Sequence, residues 1–143
     1  MTPIDREIRA QVYRHIIQSG EGPTVDDIAA SCSLDPKKVS EAFIRLENSH
    51  LLAMVPGEPR VMMAHPFSGV PTGHVAVVGE GRWHANCAWD ALAILALMGD
   101  GVARVTSGTE TLTWNVYGGI VSPEGVIHMR VTARSFWDDI GFT

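Results

Sequence analysis

The stretch HANCAWDALAILALMG, residues 84–99, decides how the chain is read. Its apolar run, Ala91 to Met98, is helical in character and far short of the roughly 20 residues that a bilayer span needs. Gly99 closes the run as a C-terminal cap. The text before it, HVAVVGEGRWHANC, reads as two strands around a Gly-Glu-Gly turn. Cys87 therefore stands where strand gives way to helix, with Asp90 as the third helical residue. Free backbone N–H groups and the positive helix end favour a thiolate at such a place, making it more reactive than an ordinary cysteine. The same residues also describe a buried cysteine beside a first-turn capping acid. An ionised Asp90 works against the thiolate, so the spacing alone leaves both readings open.

Downstream, ARVTSG and TLTWNVYGG are rich in Val, Thr and aromatics and read as strands. GIVSPEGVIHMRVTA reads as a further strand pair with Ser-Pro-Glu-Gly at its turn. Upstream, Ile4, Ile8, Val12, Ile16 and Ile17 recur at helical spacing, predicting a helix from about residue 5 to 18 that ends at Gly20 and Gly22. Thr24 caps a second helix, TVDDIAASC, with Asp27 as the acid of a capping box. Asp35 caps a third, in which Val39, Phe43, Ile44 and Leu46 are expected to face inward. LLAMVPGEPRVMMAHPF then reads as a hairpin. The expectation is an α+β fold: a winged-helix-like unit over residues 1–65, and a sheet packed on one central helix over 66–143. FSGVPTG, residues 67–73, is the turn-rich joint between them.

With 143 residues, 45% of them hydrophobic and 19% charged, the chain has a globular composition, as one domain or two small subdomains sharing a core. The N-terminus lacks the uninterrupted apolar segment of a signal peptide, which predicts a cytoplasmic protein that does not engage a membrane. Cys32 and Cys87 are both read as thiols. A net charge of −5 argues against a general polyanion binder. Lys37, Lys38 and Arg45 lie on the third helix, but so do Glu41 and Glu47. Residues 1–64 hold seven Lys/Arg against nine Asp/Glu, a net of −2. That is a poor electrostatic footprint for DNA, so the first unit is expected to be structural.

His84 precedes Cys87 by three residues on extended text, so it is expected on the opposite face and not in a Cys–His pair. His74 and His128 are expected at the surface or in packing. No zinc-site spacing occurs, and neither a structural metal nor a cofactor is expected. Trp83 and Trp89 flank Cys87 and are expected first to pack the helix onto the sheet; with Phe67 they are also the candidates to wall an apolar pocket.

The joined segment AHPFSGVPTGHVAVVGEGRWHANCAWDALAILALMG resembles the core of the organomercurial (alkylmercury) lyase family. The residues carrying the likeness are Pro66, Phe67, Ser68, Cys87, Ala88, Asp90, Ala91 and Leu92, and it continues less sharply through VARVTSG to FWDDIGFT. The resemblance implies protonolysis of a carbon–mercury bond, with Cys87 as the ligand that captures substrate mercury and Asp90 as the proton carrier. A soft metal suits a thiolate ligand. The implied partners are small organomercurials or other thiol-reactive compounds, and cellular thiols. Lyases of this family use a second cysteine in their C-terminal portion, and this sequence has none after Cys87. The chain then reads as a truncated or divergent member. The alternative is a non-enzymatic regulator or binding module in which Cys87 senses metals or thiol-reactive compounds. Substrate preference and oligomeric state are not encoded in any motif.

Overall fold

A computed structural model describes residues 1–129, 131–138 and 140. Three helices come first, and each has a local start signal. Helix α1 (Pro3–Ser19) begins at Thr2, whose hydroxyl accepts from the Asp5 N–H while the Asp5 carboxylate accepts from the Thr2 N–H; Pro3 presets the first turn. It stops at Gly20, whose φ of 77° a side chain would resist. Helix α2 (Val25–Cys32) begins with the same reciprocal cap, made by Thr24 and Asp27. Helix α3 (Pro36–Asn48) begins at Asp35, whose carboxylate accepts from the Lys37 N–H at 2.8 Å.

The helices bury Ile8, Val12, Ile16, Ile28, Val39, Phe43 and Leu46 against one another. Ile44 departs from expectation, being 55% exposed. On α3 the buried stripe is Val39, Ala42, Phe43 and Leu46, and the turn of 100° per residue carries position 44 out of it.

Two antiparallel sheets follow. The first, in order β1-β2-β3, comprises β1 (Ala53–Met54), β2 (Val61–Ala64) and β3 (Phe67–Ser68). The second contains β4 (His74–Val78), β5 (Gly81–His84), β6 (Gly101–Ser107), β7 (Glu110–Tyr117) and β8 (Ile120–Ser122), in order β5-β4-β6-β7-β8. Helix α4 (Ala88–Met98) connects β5 to β6 and packs on β4 and β6 with Ala91, Ile94 and Leu95 buried. Truncating a fully buried Leu such as Leu95 to Ala costs about 2–5 kcal/mol.

The expected strand pair around Ser-Pro-Glu-Gly is not formed. The turn lies earlier, at Gly118 and Gly119, whose φ values of 57° and 78° suit a two-residue hairpin. Tyr117 pairs with Ile120 across it. Pro123 has no N–H to extend the ladder, and residues 123–129 carry no strand. A short 3-10 turn at Ala133–Ser135 follows. The last three residues of FWDDIGFT, and residue 139 within it, lie outside the described residues.

The helices and sheets share one apolar cluster, which runs from Ile8 to Val116. A bridge between Phe67 and Ala85 links the small sheet to the larger one, and Trp83 donates its indole N–H to the Ile17 carbonyl at 3.0 Å. The segment after α1 is held equally closely: the Gly22 N–H donates to Gly69 O at 2.8 Å and the Val61 N–H to Pro23 O at 3.0 Å. A Cβ at Gly22 would collide with the Val61 carbonyl, so only glycine fits this approach. Among the described residues, no helix is long and apolar enough to cross a membrane.

Arg45 of α3 grips the buried Asp5 of α1 through Nη2 at 2.7 Å and Nε at 3.1 Å. The Arg45 hydrogen bonds hold the Asp5 carboxyl down at about 2. A depressed carboxyl stabilises the fold fully above its unfolded value near 3.9 and loses that contribution as pH falls toward 2. Asp5→Asn is expected to lower the thermal midpoint by about 5 °C at pH 7, with the difference shrinking as pH drops from 4 toward 2. Thermal unfolding followed by circular dichroism across that range checks it.

Candidate active site

The start of α4 places the two residues singled out by the sequence. Cys87 is the N-cap residue, half-buried, and makes no capping hydrogen bond with its side chain. Asp90 is the third helical residue and is only 3% exposed. Both line a cavity of about 410 Å³ whose walls also take in Met63 of β2 and His65 just after it. Helix α1 contributes Arg9 and Tyr13, the segment after α3 contributes His50 to Leu52, and the segment beyond β8 contributes Met129, Phe136, Trp137 and Ile140. The lining is predominantly apolar.

Two neighbours hold the buried carboxylate. Asn86 donates its amide to Asp90 Oδ2 at 3.1 Å and to the Pro66 carbonyl at 3.2 Å, bracing the helix start against the turn after β2. His65 brings Nδ1 to 3.1 Å from Asp90 Oδ1, an ion-pair distance. The approach is off-line for a hydrogen bond, and Oδ1 has no aligned donor among the described residues. The His65 main chain is pinned by the Tyr13 hydroxyl, which donates to its carbonyl at 2.8 Å. Arg9 in turn donates to the Tyr13 oxygen at 3.2 Å and lies over the Tyr13 ring. On the opposite wall Trp137 stacks on His50 with ring centroids 4.3 Å apart.

Of the three aromatic candidates, only Trp89 lines the cavity, with more than half of its surface exposed. Strand alternation turns Trp83 into the core, where it meets Phe67 edge-on at 6.5 Å; Phe67 is itself buried and meets Tyr13 edge-on at 6.3 Å. Both therefore lie outside the cavity lining and back its wall through Tyr13. Cys32 ends α2, is half-buried and does not line the cavity; Cys87 is the single thiol there among the described residues. His84 accepts from the Thr72 N–H at 3.1 Å and is likewise absent from the lining. His65, Arg9 and Tyr13 carried no signal in the sequence, since their place around Asp90 arises from pairing of distant segments, whereas Asn86 stands only four residues before Asp90 and was passed over.

Residues 67–137 match the family model described as "MerB: Alkylmercury lyase". The chain belongs to the alkylmercury lyase family. A solved structure titled "Crystal structure of the mercury-bound form of MerB2" is similar with a TM-score of 0.66 and 18% identity, covering 85% of this chain. The chain spans 60% of the length of that structure, and at such identity the likeness establishes the α+β fold. A search of curated proteins finds no match.

In this alkylmercury lyase family member the electrostatics of Cys87 differ from a simple helix-cap expectation. Burial is the largest influence and pushes the thiol above its ordinary value. The N–H groups of Asp90 and Trp89 pull it down, while the charge and side chain of Asp90 push it up. The helix terminus is outweighed, and the thiol is held protonated near neutral pH with Asp90 facing it. The alkylation rate of Cys87 by iodoacetamide is then expected to be below that of a free thiol at pH 7 and to climb with pH. Asp90→Asn, which removes the raising charge, is expected to speed alkylation at pH 7 several-fold; mass-spectrometric rates for both proteins check this.

Proposed function

We propose that this protein cleaves the carbon–mercury bond of small organomercurials by protonolysis. The observation that carries the reading is the placement of one thiol and one buried carboxylate, three residues apart on the first turn of α4, in a single apolar cavity. Such a cavity suits the alkyl or aryl group, and the thiol suits the metal. The solved relative's title names a mercury-bound form, which supports mercury as the metal here.

The chemistry balances without a cofactor. The Cys87 sulfur bonds to mercury as its proton passes to Asp90, so the raised thiol starts with the proton the reaction needs. The carbon–mercury bond then breaks, and its electron pair takes the proton from Asp90 to release a hydrocarbon. Mercury remains divalent on Cys87 with its original counter-ligand. A small thiol removes it and regenerates Cys87. Burial of Asp90 keeps bulk water from competing with the carbanion-like carbon for the proton.

In this reading residues 1–65 support the site, since α1 supplies Arg9 and Tyr13 to the wall and Tyr13 pins His65. The competing reading, a sensor that binds mercurials without cleaving them, draws on the single thiol in the cavity.

Incubation with phenylmercuric acetate, with benzene measured in the headspace and the protein weighed intact, tests the two. Benzene together with mercury on Cys87 supports cleavage; an intact phenylmercury adduct without benzene supports the sensor. Cys87→Ser is expected to abolish both benzene and mercury retention at this position. Asp90→Asn is expected to retain phenylmercury while benzene release falls by about 100-fold or more.

A further inference from the structure

After the first, each cycle of the proposed reaction needs a proton from solvent at a carboxylate that is 3% exposed, and among the described residues one neighbour offers a route for it. Asn86, the neighbour of Oδ2, is an amide and carries no proton. His74 on β4 faces Asp90 from the sheet side, but burial lowers its pKa, so its ring is neutral near pH 7. Its Nδ1 is buried with no partner among the described residues. His65 differs on each count. Its side chain is 72% exposed, it approaches Oδ1, the Asp90 oxygen without an aligned donor, to 3.1 Å, and its main chain is anchored by Tyr13.

We propose that His65 is the proton-supplying residue for Asp90, linking solvent to the buried carboxylate through Nδ1 and Oδ1. The inference rests on the lyase reading above and adds a residue to it. The other titratable and charged groups around this point are Arg9 and Tyr13 from α1, His50 after α3, and Cys87 at the head of α4. Contact with Asp90 raises the His65 ring above the usual imidazole value despite the opposing effect of burial, so the ring keeps its proton to higher pH than a free imidazole.

The proton count defines where His65 acts. In the first turnover Cys87–SH and the organomercurial give the hydrocarbon and Cys87–S–Hg, with one S–Hg bond formed, one C–Hg bond broken and no change of oxidation state. The Cys87 proton suffices. When a small thiolate then removes mercury, Cys87 departs as a thiolate, and the next cycle needs one proton from solvent. His65 passes its Nδ1 proton to Asp90 and is reprotonated by water. His65 is thus needed for repeated turnover and dispensable for the first.

The test compares wild type with His65→Gln, an exposed substitution, using phenylmercuric acetate and an excess of small thiol. Both proteins are expected to release the first equivalent of benzene at similar rates. Multiple-turnover release is expected to fall about tenfold in His65→Gln. In wild type it should decline as pH rises through the raised His65 pKa, at higher pH than a free imidazole would dictate, and in the variant that decline should vanish. A titration of the histidine ring signals by NMR, with Asp90→Asn expected to return His65 to an ordinary value, checks the contact without turnover. Equal multiple-turnover rates with the same pH profile in both proteins overturn the His65 role and leave the lyase reading intact. No benzene from wild type overturns the lyase reading itself, and this inference with it.

Discussion

A carboxylate taken out of water at the first turn of α4 is the constraint around which the site is arranged. Asp90 is buried, and an ionised group in such a place is costly unless neighbours meet it. Asn86 and His65 do so from opposite sides, one at each oxygen. Asn86 also binds the Pro66 carbonyl, and Tyr13 binds the His65 carbonyl, so the polar contacts extend to β2 and α1. The helical unit and the sheet are consequently joined at the cavity as well as through the apolar core. A site of this kind needs the whole described fold to hold it.

Burial also gives the site its chemical character. It raises the Cys87 thiol above its ordinary value and sets the Asp90 carboxylate beside it, so that in the proposed reaction the thiol would bring its own proton and the carboxylate would receive it. A thiolate activated by a helix terminus alone would bind mercury readily yet bring no proton for the carbon. In a protonolysis the raised thiol is an asset. In the proposed reaction capture of the metal and delivery of the proton would be two halves of one transfer, within a cavity whose apolar walls suit an organic group.

Much of the fold was legible where the signal is local. The Thr24 and Asp27 cap, Asp35 at the head of α3, the Gly-Glu-Gly hairpin and the helix opening after Cys87 each follow from a few adjacent residues. Local signals failed where two competed: Gly118–Gly119 took the turn that Ser-Pro-Glu-Gly also advertises, because only the glycine pair provides successive positive φ. Ile44 went outward because Ala42 fills the buried stripe. At the site, Cys87 and Asp90 were visible as a pair three residues apart. His65 lies 25 positions before Asp90 in a turn, and Arg9 and Tyr13 lie on the first helix, so no spacing rule reaches them. Trp83, named for its closeness to Cys87 in sequence, was carried into the core by strand alternation.

In the proposed reaction a proton held between Cys87 and Asp90 ends on the carbon released from mercury. Single-turnover reaction of the protein, pre-equilibrated in D2O, with phenylmercuric acetate in ordinary water reads this directly through the isotopic composition of benzene. Rapid mixing is expected to give monodeuterobenzene above the level set by the mixed solvent, with mercury retained on Cys87. Benzene carrying only the solvent isotope ratio even at the shortest mixing times, or no benzene at all, would contradict it.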